Sequence, residues 1–268
     1  MITRFVTATG TGLGKTLVTA ALCHQLRTKG KTVRALKPIV TGLAETPWAE
    51  SDPAILLRSM GVSLPQALNT SPWGEVGPKG RVRGAMPEIL PRGGAPHPVP
   101  LPKEEGTQTA TLDSISPFHF AAPLAPAMAA AREGRRLDLN AVLGFCREAA
   151  QGPEEVLLIE GVGGVMVPLA PALTIRDWIL ALRYPAILVT GSYLGSLSHT
   201  LTALAVLREA ALPVAGLVVS ESEGSTVSLQ ETVAELQLWA KGAPVLALPR
   251  ITGPEPWQRA PDLTALIS

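Results

Sequence analysis

The stretch ATGTGLGKT, Ala8 to Thr16, places three glycines, a lysine and usable threonine hydroxyls between an apolar run and a helical pattern. Successive backbone N–H groups in a glycine-rich turn, followed by a helix N-terminus, form a concavity for phosphate oxygens. In that reading Gly10, Gly12, Leu13 and Gly14 supply the cradle. Lys15 reaches the β- and γ-phosphates of a nucleotide, and the Thr16 hydroxyl binds Mg²⁺. Thr9 occupies the first glycine position of the strict pattern G-x-x-x-x-G-K-[ST], so an ordinary strand-to-helix turn is the alternative.

Four further stretches carry chemistry-bearing residues in strand-end or helix-start contexts. In ALKPIVTG, Lys37 closes a strand and Pro38 stiffens the exit. An ammonium then sits at the carboxyl edge of a sheet, either solvated or, with Thr41 and Gly42 following, facing a substrate. In SDPAILL, Ser51 can cap a helix whose first turn holds Asp52; Asp52 also suits a metal that needs hard oxygen ligands beyond Thr16. In LLIEGVGG, Glu160 ends an apolar strand, the usual place for the carboxylate partner of a phosphate-loop metal. The glycines after it, Gly163 among them, let a ligand or another backbone approach closely. In VTGSYLGSLSHT, Gly191 and Gly195 flank a loop that opens a helix at Ser196 to His199, and its N–H groups suit a carboxylate.

These residues need a scaffold that brings strand ends together. The readable elements alternate: strand ITRFVTA, helix KTLVTAALCHQLRTKG, strand TVRALKPIV, short helix DPAILLRSMG, strand EVLLIE, strand AILVTG, helix SLSHTLTALAVLREAAL, strand VAGLVVS, helix TVSLQETVAELQLWA and strand PVLALP. Continuous Val/Ile/Leu strands separated by amphipathic helices predict an α/β fold, a doubly wound, mostly parallel sheet flanked by helices. Binding then belongs at the carboxyl ends of the strands.

At 268 residues with a net charge of +1, the chain can bury a full core and offers neither a basic stripe for nucleic acid nor a charged tail. Small molecules and other protein chains are the partners this composition leaves; no nucleic acid and no membrane is expected. Cys23 and Cys146 are too few for a disulfide framework, and no signal-peptide pattern precedes the first strand, so the expected location is cytoplasmic. Residues 1–268 are expected to form a single domain. From about Pro72 to Asp113 the chain is rich in proline and glycine without periodicity, which predicts an insertion in a surface loop, with a functional lid as the alternative.

Taken together, in this order, these stretches resemble the dethiobiotin synthetase family, whose fold is P-loop NTPase-like. The matching segments are ATGTGLGKT, KPIVTG, Ser51–Asp52, SPFHFAAPLAP from Ser116, LIEGVGG and GSYLGSLSH, and they run over nearly the whole chain outside the proline-rich stretch. The resemblance implies ATP- and Mg²⁺-dependent closure of a cyclic urea from 7,8-diaminononanoate and CO2, through a carbamate and a carbamic-phosphoric anhydride, in biotin biosynthesis. It gives Lys15 and Lys37 the role of gathering carbamate and phosphate, and Thr16, Asp52 and Glu160 that of holding the metal. Thr41 contacts the carbamate region and Thr11 the phosphates or the substrate amine. It also implies a homodimer in which Leu194, Gly195 and Ser198 help hold the substrate carboxylate of the neighbouring subunit.

The departures from the family pattern are Ala8 for a glycine, Gly10 for an aspartate and Gly12 for an acidic residue. Ser220 and Glu221 stand where an Asn-Asp pair is common near the adenine, which leaves base preference open. Tyr193 and Ser198 stand where lysine and asparagine can be found. Two other readings keep the same loop. Partition and septum-site switch ATPases carry a lysine five residues before the loop lysine, where this chain has Gly10; a catalytically degraded relative would bind nucleotide without turnover.

Overall fold

The computed structural model describes residues 1–62, 64 and 112–268. The greater part of the expected insertion at 72–113 lies outside the described residues. Its last two residues, Leu112 and Asp113, open a short helix, α3 (Leu112–Ile115), so the irregular stretch ends sooner than its composition indicates.

Among the described residues, six strands form one parallel sheet: β1 (Ile2–Ala8), β2 (Val33–Leu36), β5 (Val156–Glu160), β8 (Ala186–Gly191), β9 (Val214–Ser220) and β10 (Val245–Leu248). Their order is β10-β9-β8-β1-β5-β2. β1 pairs with β5 from Ile2 opposite Val156 to Val6 opposite Glu160, and with β8 from Phe5 opposite Ala186 to Ala8 opposite Val189. From β1 the chain winds one way through α1 (Lys15–Thr28) to β2. It winds the other way from β8 through α7 (Ser196–Glu209) and α8 (Leu229–Trp239) to β9 and β10. Right-handed crossovers running in opposite directions put these helices on opposite faces and open a cleft at the carboxyl ends beside β1. The doubly wound parallel sheet expected from the sequence is the fold observed.

The expected strand TVRALKPIV divides. β2 stays in the main sheet, while β3 (Ile39–Thr41) leaves it and pairs with β4 (Phe118–Phe120), Ile39 opposite Phe118. Pro38 has no N–H to continue a ladder, so the break falls there. The divergence is pinned by Lys37 N–H donating to the Ile115 carbonyl at 3.0 Å and the buried Ser116 hydroxyl donating to the Lys37 carbonyl at 2.7 Å.

The core lies on both faces of the sheet. Every residue of β5 and β8 is buried, as both-face coverage requires. α2 (Asp52–Ser59) packs on α1 and β2, and α4 (Pro126–Arg132) on β3, β4 and the small hairpin of β6 (Pro168–Ala170) and β7 (Leu173–Thr174). α5 (Leu139–Ala149) packs on α6 (Ile175–Leu182), which also meets β7. α6 opens on a capping box in which Thr174 and Asp177 satisfy each other's backbone N–H groups. Phe5 meets the ring of Trp178 edge-on, with centroids 4.9 Å apart. Cys23 and Cys146 form no disulfide, as expected; both are buried, and burial pushes each thiol up to about 12. Among the described residues no helix is long and apolar enough to cross a membrane.

Phe5 also lies 2.9 Å from where a Cβ on Gly161 would stand, so its ring supports the turn after β5. Phe5→Ala is expected to cost about 3–5 kcal/mol in urea unfolding; a loss below about 1 kcal/mol would show that the β1 core is not packed as described.

Candidate active site

The turn between β1 and α1 requires glycine where it bends most. Gly12 and Gly14 have φ of 72° and 87°, in the left-handed region, and Gly14 is the N-cap residue of α1. The turn after β5 braces it from behind. Val165 N–H donates to the Ala8 carbonyl at 3.0 Å. A Cβ on Gly164 would stand 3.0 Å from the Thr9 carbonyl oxygen and 3.1 Å from the Gly10 nitrogen. The glycine cluster after Glu160 thus allows one backbone to lie against another.

α1 begins at Lys15, whose side chain folds under the turn and donates to the Gly10 carbonyl at 3.3 Å. The next residue, Thr16, lies 2.7 Å from Asp52 Oδ1 and 2.8 Å from Glu160 Oε1; its single hydroxyl proton serves one carboxylate at a time. Lys37 enters from the end of β2. Its Nζ is 2.6 Å from Asp52 Oδ2 and 2.5 Å from Glu160 Oε1. Lys37 is 3% exposed and Glu160 is fully buried. Glu160 Oε2 has no hydrogen-bond partner among the described residues.

Two carboxylates therefore share the Lys37 ammonium, Glu160 buried and Asp52 partly open to the cavity. Burial works against the charge on Lys37, but Asp52 and Glu160 outweigh it and hold the ammonium above the ordinary lysine range. Burial likewise opposes the Asp52 carboxylate, and Lys37 followed by Thr16 holds it below the usual range. Lys15 has no such close acid, so burial, aided by the Lys37 charge, lowers it to about 8.

These residues open onto one cavity of about 380 Å³. Thr11, Gly12, Leu13, Gly14, Lys15 and Thr16 line it from the turn, with Lys37, Thr41 and Asp52 opposite and Val162 and Gly163 at the side. The ammonium-bearing side chains of Lys15 and Lys37 thus share a single cavity. Glu160 lies beneath it, and Gly10 meets it through the Lys15 contact. Val162 went unnoticed in the sequence because its glycine neighbours carried the signal. Ser116 had a role no motif disclosed, that of fixing the Lys37 backbone.

The other sequence-derived residues lie elsewhere. Ser220 ends β9, with its hydroxyl 3.1 Å from where a Cβ on Gly14 would stand, so it borders the start of α1 without lining the cavity. The side chain of Glu221 accepts the Arg250 N–H at 2.8 Å. Leu194 is 89% exposed, Gly195 is the N-cap residue of α7 with φ of 99°, and Ser198 follows in its first turn. Within one chain these three do not reach the cavity. The Tyr193 hydroxyl and His199 Nδ1 are paired at 2.7 Å. Ser51 is the N-cap residue of α2, but its hydroxyl donates backward to the Trp48 carbonyl at 2.7 Å and makes no side-chain cap.

One hydroxyl and two carboxylates, one with an unpartnered buried oxygen, suit a hard divalent cation that completes its shell with water and phosphate oxygens. Among the described residues no three His, Cys, Asp or Glu side chains come together, so a cage made of protein ligands alone is absent.

A glycine-rich turn leading from the first strand of a parallel sheet into a helix, with lysine and threonine opening that helix, defines a P-loop nucleotide-binding protein. A family model described as an AAA domain matches residues 3–68 and 103–252. The ATP-dependent dethiobiotin synthetase BioD of Methylobacterium nodulans is 39% identical over 255 residues, covering 93% of this chain and 94% of that protein. The protein of the same name from Acidiphilium cryptum is 35% identical over 228 residues, 85% of this chain and 83% of that one. That of Caulobacter vibrioides is 37% identical over 247 residues, 92% and 91%. The chain belongs to the ATP-dependent dethiobiotin synthetase family.

Lys15 near 8 gives nucleotide binding a pH signature. A bound polyphosphate holds the proton that the free protein releases above that pH. Affinity is expected to be flat below pH 8 and to fall by up to about tenfold per unit above it. Calorimetry in buffers of different ionisation enthalpy checks this: proton uptake at pH 9 and little at pH 7, with Lys15→Gln abolishing the difference. Gly164→Ala is expected to push the turn out of place and weaken nucleotide binding by about tenfold or more, while the fold tolerates a cost of about 1–3 kcal/mol. Unchanged affinity by titration would contradict the bracing role.

Proposed function

We propose that this chain is an ATP-dependent dethiobiotin synthetase, closing the ureido ring of dethiobiotin from 7,8-diaminononanoate and CO2. The observation that carries this reading is that Lys15 and Lys37 enter one cavity together with Thr16 and Asp52, over Glu160. Carbamate and triphosphate are both anionic, and bringing them within bonding distance needs preorganised positive charge away from bulk water.

One amine of the substrate adds to CO2, losing a proton to form the carbamate. A carbamate oxygen attacks the γ-phosphorus, and ADP leaves. The second amine then attacks the carbonyl carbon of the resulting anhydride, closes the ring, expels phosphate and gives up one proton. Lys15 and the N–H groups of Gly12, Leu13 and Gly14 hold the phosphates, with Gly10 behind them. Lys37 and Thr41 hold the carbamate, and Gly163 leaves room for it. Thr11 bonds a phosphate oxygen or the substrate amine. Thr16, Asp52 and Glu160 would hold Mg²⁺, which when bound neutralises charge developing on the phosphates. Ser220 borders the nucleotide.

The active form in this reading is a cytoplasmic homodimer of single-domain subunits, each with its insertion at about 72–113. Leu194 is exposed enough to reach a neighbour, and with Gly195 and Ser198 it would present an α7 N-terminus to the substrate carboxylate of the other subunit.

Purified protein is expected to release phosphate from ATP only when diaminononanoate and bicarbonate are both present. Hydrolysis without either substrate would favour a switch ATPase, and nucleotide binding without turnover a degraded relative. Lys37→Ala is expected to lower turnover by about 100-fold or more while affinity for nucleotide measured without divalent metal changes by less than about threefold. Weakened ATP binding with normal turnover would contradict the role given to Lys37.

A further inference from the structure

Two of the carboxylate oxygens that suit a divalent cation already carry one, and only Glu160 Oε2 stands without a partner among the described residues. Lys37 Nζ stands 2.6 Å from Asp52 Oδ2 and 2.5 Å from Glu160 Oε1, and the latter oxygen also faces the Thr16 hydroxyl at 2.8 Å. We propose that the Lys37 ammonium is the resident cation of the nucleotide-free site, and that a divalent ion arriving with nucleotide displaces it toward the Thr41 side of the cavity. This rests on the reading above in which Thr16, Asp52 and Glu160 hold magnesium.

Two cations cannot share those oxygens. An ion bonded to Glu160 Oε1 or Asp52 Oδ2 would stand within roughly 5 Å of the ammonium, a repulsion that grows as water is excluded. Lys37 can yield without disturbing the sheet. Its backbone is fixed at both ends of the peptide by Ile115 and Ser116, while its side chain adjoins the cavity that Thr41 also lines. The movement is therefore confined to the four-carbon stem.

Lys37 in its resident position also explains how Glu160 survives full burial before any ligand binds, since an unpaired carboxylate there would be costly. The consequence is an order of events. The metal binds the nucleotide-free protein poorly, because it must evict a paired ammonium. It enters with phosphates that repay the exchange, and the cation that meets the carbamate is released by the same step. Idle presentation of Lys37 to substrate is thereby avoided.

Titration of the nucleotide-free protein with Mn²⁺, followed by its electron paramagnetic resonance signal, tests this without recourse to turnover. Lys37→Met is expected to tighten Mn²⁺ binding by at least about tenfold relative to the unsubstituted protein. Lys15→Met removes a charge from the same cavity without vacating the oxygens, and is expected to change binding by less than about threefold. Adding Glu160→Gln to Lys37→Met should remove the gain. Equal affinities for the folded Lys37→Met and unsubstituted proteins, or an equal gain from Lys15→Met, would overturn the proposal.

Lys37→Gln, which keeps hydrogen-bond donors beside the carboxylates, repeats the comparison should the methionine variant fold poorly. If both variants fold only with Mn²⁺ present, the vacated oxygens are taking the metal as proposed; if Mn²⁺ rescues neither, they are not. The phosphate-release assay of the unsubstituted protein reports separately on the synthetase reading, so either can fail alone.

Discussion

A buried carboxylate with nowhere to send its charge is the constraint around which this site is arranged. Glu160 ends β5, which lies between β1 and the edge strand β2; it is fully buried, and its burial is tolerable only with a cation beside it. Lys37 supplies that cation, Asp52 shares it, and the Thr16 hydroxyl, in the first turn of α1, lies within reach of both acids and donates to one at a time. Removing any one of the four leaves the others with charge or hydrogen bonds unmet, so the loop–helix junction, the end of β2 and the start of α2 are tied into one polar unit. That unit sits directly below the cavity where polyphosphate chemistry would take place.

Much of the remaining fold serves to hold the three approaching elements in register. Parallel pairing of β1 with β5 sets Val6 opposite Glu160, which fixes the height of the acid relative to the phosphate turn. The glycines after Glu160 fold back onto Thr9 and Gly10 with no room for a side chain. The end of β2 is held by Ser116, in a segment that follows nearly 80 residues later in the sequence. Long-range backbone bonds of this kind let a lysine at a strand end behave as part of a rigid site, where its flexible stem alone would not.

The sequence disclosed those parts of the architecture whose signals are local. Strands ITRFVTA and VAGLVVS match β1 and β9 residue for residue; the glycine-rich turn stops the first, and Pro213 sets the start of the second. The phosphate turn, Lys37, Asp52 and Glu160 could be named because each sits at a junction of a strand or helix with a loop. What failed to show was non-local. The split at Pro38 depends on a partner strand around Phe118, and the role of Ser116 on a single hydroxyl with no motif of its own. α4 is hard to read because a short alanine-rich pattern such as PAMAAAR gives little periodicity. α6 has a local start signal in the Thr174 and Asp177 capping box, but it lies away from the strand ends that carry the phosphate chemistry. Nor could charge counting reveal that Lys37 already occupies the acids assigned to a metal, since that follows from which oxygens face which way.

The central claim is that this cavity joins carbamate to phosphate, and the fate of oxygen tests it most directly. If a carbamate oxygen attacks the γ-phosphorus and ring closure then expels phosphate, that oxygen leaves with the phosphate. Turnover with ¹⁸O-labelled bicarbonate, diaminononanoate and unlabelled Mg-ATP, sampled before the label exchanges with water and read by mass spectrometry, should give phosphate carrying one bicarbonate-derived oxygen and a cyclic urea as the accompanying product. Phosphate free of that label, formed at the same rate, would mean that water is the acceptor and would contradict the account.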